Sequence, residues 1–385
     1  MKLAHFSPLP PQKSGIADYC AALLPHLAAH MSVDAFTDAN VAPNPQWQPA
    51  SQFTAYQRFD YDLCLYHMGN NRRFHSNIYQ TMRRFPSVVV LHEFNLYGFH
   101  LHGPRTDLIR EMGYAYGEEG VAAIYRLYDG SRSQPERYPL FERLVALNRG
   151  IIVHTNYARQ TILNAFPQAK VAVVPLAAPP KQTPSGPKPA LLANLPADTL
   201  LLGSFGYLSP SKRLTEILQA LAQIREQVPQ LRYLLVGDPV QNYALTPLID
   251  ELGLRDLVIE TGFVAPADYA HYLDAVDIAL NLRTGPTGGE MSASLLQLLA
   301  QGKPTLVSNV GGFADFPDET VVKIQQDEGE IGELTAVLTQ LLTKPTLRHQ
   351  IGTAGRTFVE QHCTLSQVAQ QIYEFLSELM KEGGA

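Results

Sequence analysis

The sequence has little to cross-link it and nothing obvious to carry it through a bilayer. Its 385 residues include three cysteines, Cys20, Cys64 and Cys363. They are too few and too scattered for a disulfide framework or a zinc site, and a reducing, cytoplasmic compartment is expected. No run of about 18 apolar residues occurs, so no transmembrane helix is expected. The opening residues MKLAHFSP meet a proline before any apolar core develops, unlike a signal peptide. Basic charge is outweighed: 30 Lys and Arg stand against 36 Asp and Glu, a formal charge of −6. That balance disfavours nucleic acid as a partner. No Gly-x-Gly-x-x-Gly follows the first strand pattern, which disfavours a plain dehydrogenase. No Asp-x-Asp motif is recognised in the chain, so no metal requirement is expected, and no resident cofactor either.

What is present is an ordinary globular composition, 45% apolar and 17% charged. The length exceeds the size at which single cores stop growing, so two domains are expected. Short apolar runs at 3–6, 33–36, 63–66, 88–92, 151–154 and 171–174 read as strands, as do those at 200–205, 233–236, 257–260, 278–282, 304–307 and 321–324. Most lack alternation, the pattern of strands buried on both faces of a parallel sheet. Helical-period stretches such as 214–228 and 268–275 lie between them. The grammar is α/β, two doubly wound Rossmann-like domains. The proline-rich segment 177–196 reads as a linker. It gives an N-terminal domain of 1–180, a C-terminal domain of 181–364, and a last helix over 365–385 able to pack back on the first domain. Two such domains face each other across a cleft lined by strand carboxyl ends, where ligands of open α/β sheets bind.

The residues after the second-half strands carry the chemistry. In Gly203-Ser204-Phe205-Gly206-Tyr207-Leu208-Ser209-Pro210-Ser211-Lys212-Arg213 a strand runs into a Gly/Ser/Pro loop closed by two cations, suited to a diphosphate. A solvated Lys-Arg pair is the plainer reading. Gly237-Asp238 and Thr261-Gly262-Phe263 end two further strands and offer backbone to a base or ribose, or are simply turns. The fullest motif is Arg283-Thr284-Gly285-Pro286-Thr287-Gly288-Gly289-Glu290-Met291-Ser292-Ala293-Ser294, leading into an apolar helix that ends at Gly302-Lys303-Pro304. A helix beginning near Glu290 presents free N–H groups to an anion. Glu290 is then either a dipole partner or a reader of sugar hydroxyls.

At these residues the chain resembles the retaining GT-B glycosyltransferases of family 4, glycosyl transferases group 1, over nearly its whole length. The nearest subgroup is a bacterial one with a Gly-Glu-Met-Ser loop. The N-terminal Ser7-Pro8-Leu9-Pro10-Pro11 and Ser14-Gly15-Ile16-Ala17-Asp18-Tyr19 look like the glycine loop after that family's first strand. Two departures stand out. Tyr207 occupies the position of an arginine five residues before the lysine, so Arg213 is expected to supply the second cation. The second glutamate of the family's pair falls on Gln297, which still bonds ribose hydroxyls, and Glu290 is one residue out of register with the first.

The resemblance implies transfer of a hexose from a nucleotide-diphosphate sugar to a saccharide or lipid-linked hydroxyl, with retention and without metal. Lys212, Arg213, Glu290 and His92 are the implied catalytic residues. The implied donor set is Gly15, Gly206, Lys212, Arg213, Gly237, Asp238, Gly262, Phe263, Gly288, Gly289, Met291, Ser292, Ala293 and Gln297. Asp18, His67, Asn70 and His154 are acceptor candidates. His67, His92 and His154 each end a strand pattern, as though pointing into one cleft. The arginines at 72, 73, 83, 84, 105 and 110 are a solvated set or a contact for an anionic acceptor or the inner membrane face. An epimerase or hydrolase of the same fold, and a non-catalytic sugar-nucleotide binder, are the competing readings.

Overall fold

The computed structural model describes residues 1–38, 46–131 and 134–382. Two compact units emerge: Met1–Ala177 with Gly288–Met291 and Leu365–Ala385, and Ala178–Thr287 with Ser292–Thr364. One segment inside the span of the second unit lies outside it. Gly288–Met291 groups with the first unit, because its backbone and glycines pack against residues 93–95 and 158 there.

In the first unit β1 (Lys2–Phe6), β2 (Ser32–Thr37), β3 (Trp47–Pro49), β4 (Leu63–Met68), β5 (Val88–Leu91), β6 (Gly150–Val153) and β7 (Val171–Val173) form one parallel sheet ordered β3-β2-β1-β4-β5-β6-β7. In the second, β8 (Leu200–Phe205), β9 (Leu231–Val236), β10 (Val258–Gly262), β11 (Ile278–Asn281), β12 (Thr305–Ser308) and β13 (Val322–Ile324) are ordered β10-β9-β8-β11-β12-β13. Both are doubly wound, as expected. The strand order reverses between β1 and β4 and between β8 and β11, so each sheet has its crevice at those carboxyl ends.

Period-two alternation decides which face each side chain takes. Ala4, Phe6, Cys64, Tyr66, Met68, Val89, Leu91, Ile151 and Val153 enter one core of the first sheet. Leu3, Leu63, Leu65, Val88, Val90 and Ile152 enter the other. The second face is covered partly by helix Gly15–Ala28 and partly by the final helix, Leu365–Glu382. Val368, Ala369, Ile372, Leu376 and Leu379 of that last helix are buried in this core. Burial of each large side chain is worth about 1.5–3 kcal/mol before entropy is counted. Leu379 fills the space over Gly150, where a Cβ would collide with it.

Candidate functional site

In the second unit β8 ends at Phe205, and Gly206 turns the chain with φ 83°. The loop that follows is stitched to the segment after β9: the Leu208 N–H donates to the Asp238 carbonyl (2.8 Å) and the Val240 N–H to the Leu208 carbonyl (2.8 Å). A short turn, Pro210–Lys212, then folds Lys212 back so that Nζ donates to the Phe205 carbonyl. Burial, and then the nearby Arg283 guanidinium, lower the Lys212 ammonium to about 7. An anion arriving here would restore its proton.

Arg213 does not join it. The residue takes a left-handed conformation, φ 54°. Its guanidinium forks onto Glu330, with Nε to Oε1 at 2.5 Å and Nη2 to Oε2, and Nη2 also meets Glu216 at 3.0 Å. The expectation that Arg213 supplies the second cation is therefore corrected: two carboxylates hold its charge. Arg283, just beyond β11, is the cation that acts on Lys212. Its Nη1 donates to the Leu282 carbonyl (2.8 Å) and its Nη2 to Ser292 Oγ (3.3 Å), and its guanidinium lies over Phe313, 5.7 Å from the ring centroid. Replacing Arg283 by glutamine is expected to raise the Kd for a nucleoside diphosphate about 10- to 100-fold by calorimetry while the fold survives; an unchanged Kd would remove Arg283 from the site.

The helix after β11 starts later than expected. It spans Ala293–Ala300, and Ser292 is its N-cap, accepting from the Leu295 N–H at 3.2 Å. Glu290 thus precedes the helix instead of opening it. The three-residue misplacement of the start has a local cause: the hydroxyl of Ser292 competes for the first-turn N–H groups, which favours a cap over an earlier helical turn. Asn281 Nδ2 reaches Ser292 Oγ (3.3 Å) and Ser294 Oγ (3.1 Å), tying the end of β11 to the helix start. Gln326 pins the loop from below, accepting from the Gly285 N–H and donating to the Arg283 carbonyl, each at 2.7 Å. Gln297 lies on the helix beside Tyr269, whose hydroxyl is 3.5 Å from its Oε1. Around the neighbouring strand ends, Gly237 (φ 140°) and Gly262 (φ 65°) pair as a β-bridge next to Asp238. Phe263 and Tyr207 stand 75% and 74% exposed, flat apolar surface beside a polar loop.

In the first unit the Gly288 carbonyl accepts from the Phe94 N–H (2.8 Å) and the Asn95 N–H (3.3 Å). Gly289, at φ 80°, lies against the Phe94 ring and Ala158, where a Cβ would clash. This close approach brings Glu290 to Glu93; Met291, half-buried, ends the segment. Burial chiefly, and then Glu290, raise the Glu93 carboxyl to about 7, although its Oε1 accepts from the Asn70 N–H at 2.9 Å. The sequence places Glu93 directly after His92 at a strand end, but no role was assigned to it there. Asn70 holds the Phe99 N–H with Oδ1 (2.7 Å), so its side chain shapes the loop. Gly15 and Asp18 sit exposed at the start of helix Gly15–Ala28, and a Cβ on Gly15 would meet open space. Burial of part of its surroundings raises the Asp18 carboxyl.

The histidines do not point separately into a cleft. By parity His5, His67, His92 and His154 extend the face of Leu3, Leu65, Val90 and Ile152, and all are buried. His154 Nδ1 bonds the Val174 carbonyl at 2.9 Å, His154 Nε2 meets His92 Nδ1 at 3.0 Å, and His92 Nε2 meets His67 Nδ1 at 3.0 Å. Burial lowers the affinity of all three rings for a second proton, so each is neutral and carries one. The carbonyl only accepts, which places the proton on Nδ1 of His154, then of His92, then of His67. Both ring nitrogens of His92 are occupied, so its expected role as a direct sugar contact is replaced by a structural one in this arrangement; His67 and His154 are likewise withdrawn from an acceptor.

The expectation of no metal passed over one Asp-x-Asp triplet, Asp60-Tyr61-Asp62. It precedes β4, and Asp62 Oδ2 accepts from the Lys2 N–H (2.7 Å), so it lies at the amino ends of the strands, away from the crevice.

Residues 193–358 match the family model "Glycosyl transferases group 1". D-inositol 3-phosphate glycosyltransferase of Thermobifida fusca is 27% identical over 243 residues, 60% of this chain and 55% of that protein. 2-deoxystreptamine glucosyltransferase of Streptomyces kanamyceticus is 24% identical over 145 residues, 38% of this chain and 37% of that protein. The matches thus span roughly a third to a little over half of these relatives. The fold is that of sucrose-phosphate synthase from Thermosynechococcus elongatus, with TM-score 0.66, 18% identity and coverage of 99% of this chain and 100% of that one. It is also that of Anabaena HepE in complex with UDP-glucose, with TM-score 0.63, 18% identity and coverage of 98% and 100%. The chain's two parallel-sheet, Rossmann-like domains are thus those of the GT-B fold. Among the described residues no helix is long and apolar enough to cross a membrane.

Proposed function

We propose that this chain is a glycosyltransferase that moves a hexose from a nucleotide-diphosphate sugar to an acceptor hydroxyl, retaining anomeric configuration. One observation carries the reading: at the switch point of the second sheet Lys212, Arg283 and the serine-capped start of Ala293–Ala300 converge, within the stretch that matches the family. Cations and first-turn amides there stabilise the charge that develops on a departing diphosphate. The bond from the anomeric carbon to the phosphate oxygen breaks, the bond to the acceptor oxygen forms on the same face, and the leaving phosphate takes the acceptor proton. Phe263 and the bridged Gly237 and Gly262 offer a platform and backbone to the base, and Gln297 its amide to the ribose. In the first unit Glu93 and Glu290 bond hydroxyls of a saccharide. Exposed Arg73, Arg83 and Arg84 on helix Arg72–Arg84 give an anionic or lipid-linked acceptor a contact. HepE's complex with UDP-glucose makes uridine donors the first to test.

The test is incubation with UDP-, GDP-, ADP- and TDP-sugars, with and without a panel of saccharide and lipid-linked acceptors, followed by proton NMR of the products. Acceptor-dependent transfer of an α-linked sugar from an α-donor is expected. Stoichiometric donor breakdown without acceptor would mark a hydrolase or epimerase, and tight donor binding with no turnover across the panel a binding protein.

A further inference from the structure

The histidine chain in the first unit ends on a lone pair. With the proton of His67 on Nδ1, directed to His92, its Nε2 is unprotonated, buried and without a hydrogen-bond partner. His5 Nε2 is likewise buried and without a hydrogen-bond partner. The two rings lie 4.7 Å apart between centroids, tilted by 45°. The third group is Cys20, a free thiol on helix Gly15–Ala28 that covers this face. One ring nitrogen from each histidine and the Cys20 Sγ all lie within 4.8 Å of one another, and all three residues are wholly buried. Unpartnered acceptors in a core are unfavourable and usually answer to something absent from the coordinates.

We propose that His5, Cys20 and His67 form an internal binding site for a thiophilic d10 cation, Zn2+ or Cu+. The donor set is two imidazole nitrogens and one thiolate, the chemistry these ions select. Zinc bonds nitrogen at about 2.0–2.1 Å and sulfur at about 2.3 Å, so its donors stand roughly 3.3–3.8 Å apart. Small rotations of the three side chains close the set to that size. The outer shell is already built. A ligating histidine commonly donates its other ring N–H to a fixed acceptor, and His67 does so to His92, itself held by His154 and the Val174 carbonyl. On the other side Ser7 Oγ lies 3.5 Å from His5 Nδ1. Binding breaks the Cys20 S–H bond, forms the sulfur–metal bond, and releases the proton to buffer. The ion would rivet β1, β4 and helix Gly15–Ala28 together. It is structural and independent of the sugar-transfer reading.

The test uses the full chain, stripped with a chelator, then loaded separately with Zn2+, Cu+ or Co2+ and desalted. About one equivalent of zinc or copper by mass spectrometry is expected, with a rise in Tm of several degrees, and cobalt should give a thiolate-to-metal charge-transfer band. Cys20→Ser should lose the band and most of the metal, whereas Cys64→Ser and Cys363→Ser keep both. If Cys20→Ser does not fold, X-ray absorption of the loaded wild type decides, with two nitrogens and one sulfur expected in the first shell. Folded wild type that retains none of the three ions overturns the site. So does metal that survives Cys20→Ser, or a first shell without sulfur.

Discussion

Replacing Arg213 by methionine is expected to destabilise the second unit by about 3–5 kcal/mol, the usual result of leaving one partner of a buried ion pair uncompensated. The pair is well enclosed: the Arg213 and Glu330 side chains are 15% and 4% exposed, and Glu216 adds a further contact at 3.0 Å. The replacement strands Glu330 in the interior. A drop of that size should show as a large fall in the Tm of this unit by calorimetry. Arg213→Met combined with Glu330→Leu should recover most of the loss, since an apolar pair of similar volume needs no partner. At a temperature where the single variant is folded, its Kd for UDP should change by less than about threefold. A variant of normal stability with UDP affinity lowered about 100-fold would restore Arg213 to the phosphate site.

Lys212→Ala is expected to lower kcat/KM for donor about 100- to 1,000-fold with little change in fold, the effect of removing one preorganised stabiliser of a leaving group. A pH signature accompanies it. The ammonium titrates near 7 in the folded protein, against 10.5 for a free lysine. Between those values the unfolded chain carries a proton that the folded chain lacks, so this residue makes the unliganded protein more stable as pH rises across that window. A bound diphosphate favours the charged form. Donor binding at pH 8 should therefore take up protons, measurable by calorimetry in two buffers of different ionisation enthalpy. Lys212→Ala should abolish the uptake; uptake that persists would assign it to another group.

Much of the architecture was legible because strands of a parallel sheet, covered on both faces, must be apolar almost throughout. The strand that escaped notice, β3, is three residues long, ends in proline and forms the sheet edge, where pairing asks little of sequence. The loop after β8 was legible as a Gly/Pro-shaped turn closed by Lys212. Its second cation was not. Adjacency in sequence suggested Arg213, but a left-handed φ turns that side chain toward Glu330, 117 positions away, and the cation comes from the end of a different strand. Distant carboxylates have no local signature. The histidines were visible at strand ends, and their parity with Leu65, Val90 and Ile152 placed them on one face; that they would bond one another depended on register between strands, which no single segment encodes.

The last helix gives the chain an order of assembly. The first unit needs residues 365–382 to cover Leu3, Leu23, Val90 and Ile152, yet the ribosome makes those residues only after every strand of both sheets. The second unit, complete at Thr364, has all its strands before that point. During synthesis the first unit must wait with one flank of its sheet bare, while the second can close. Until Leu379 reaches Gly150 the second unit is finished and the first is not, and a chaperone would find its apolar target on the bare flank of the first unit's sheet.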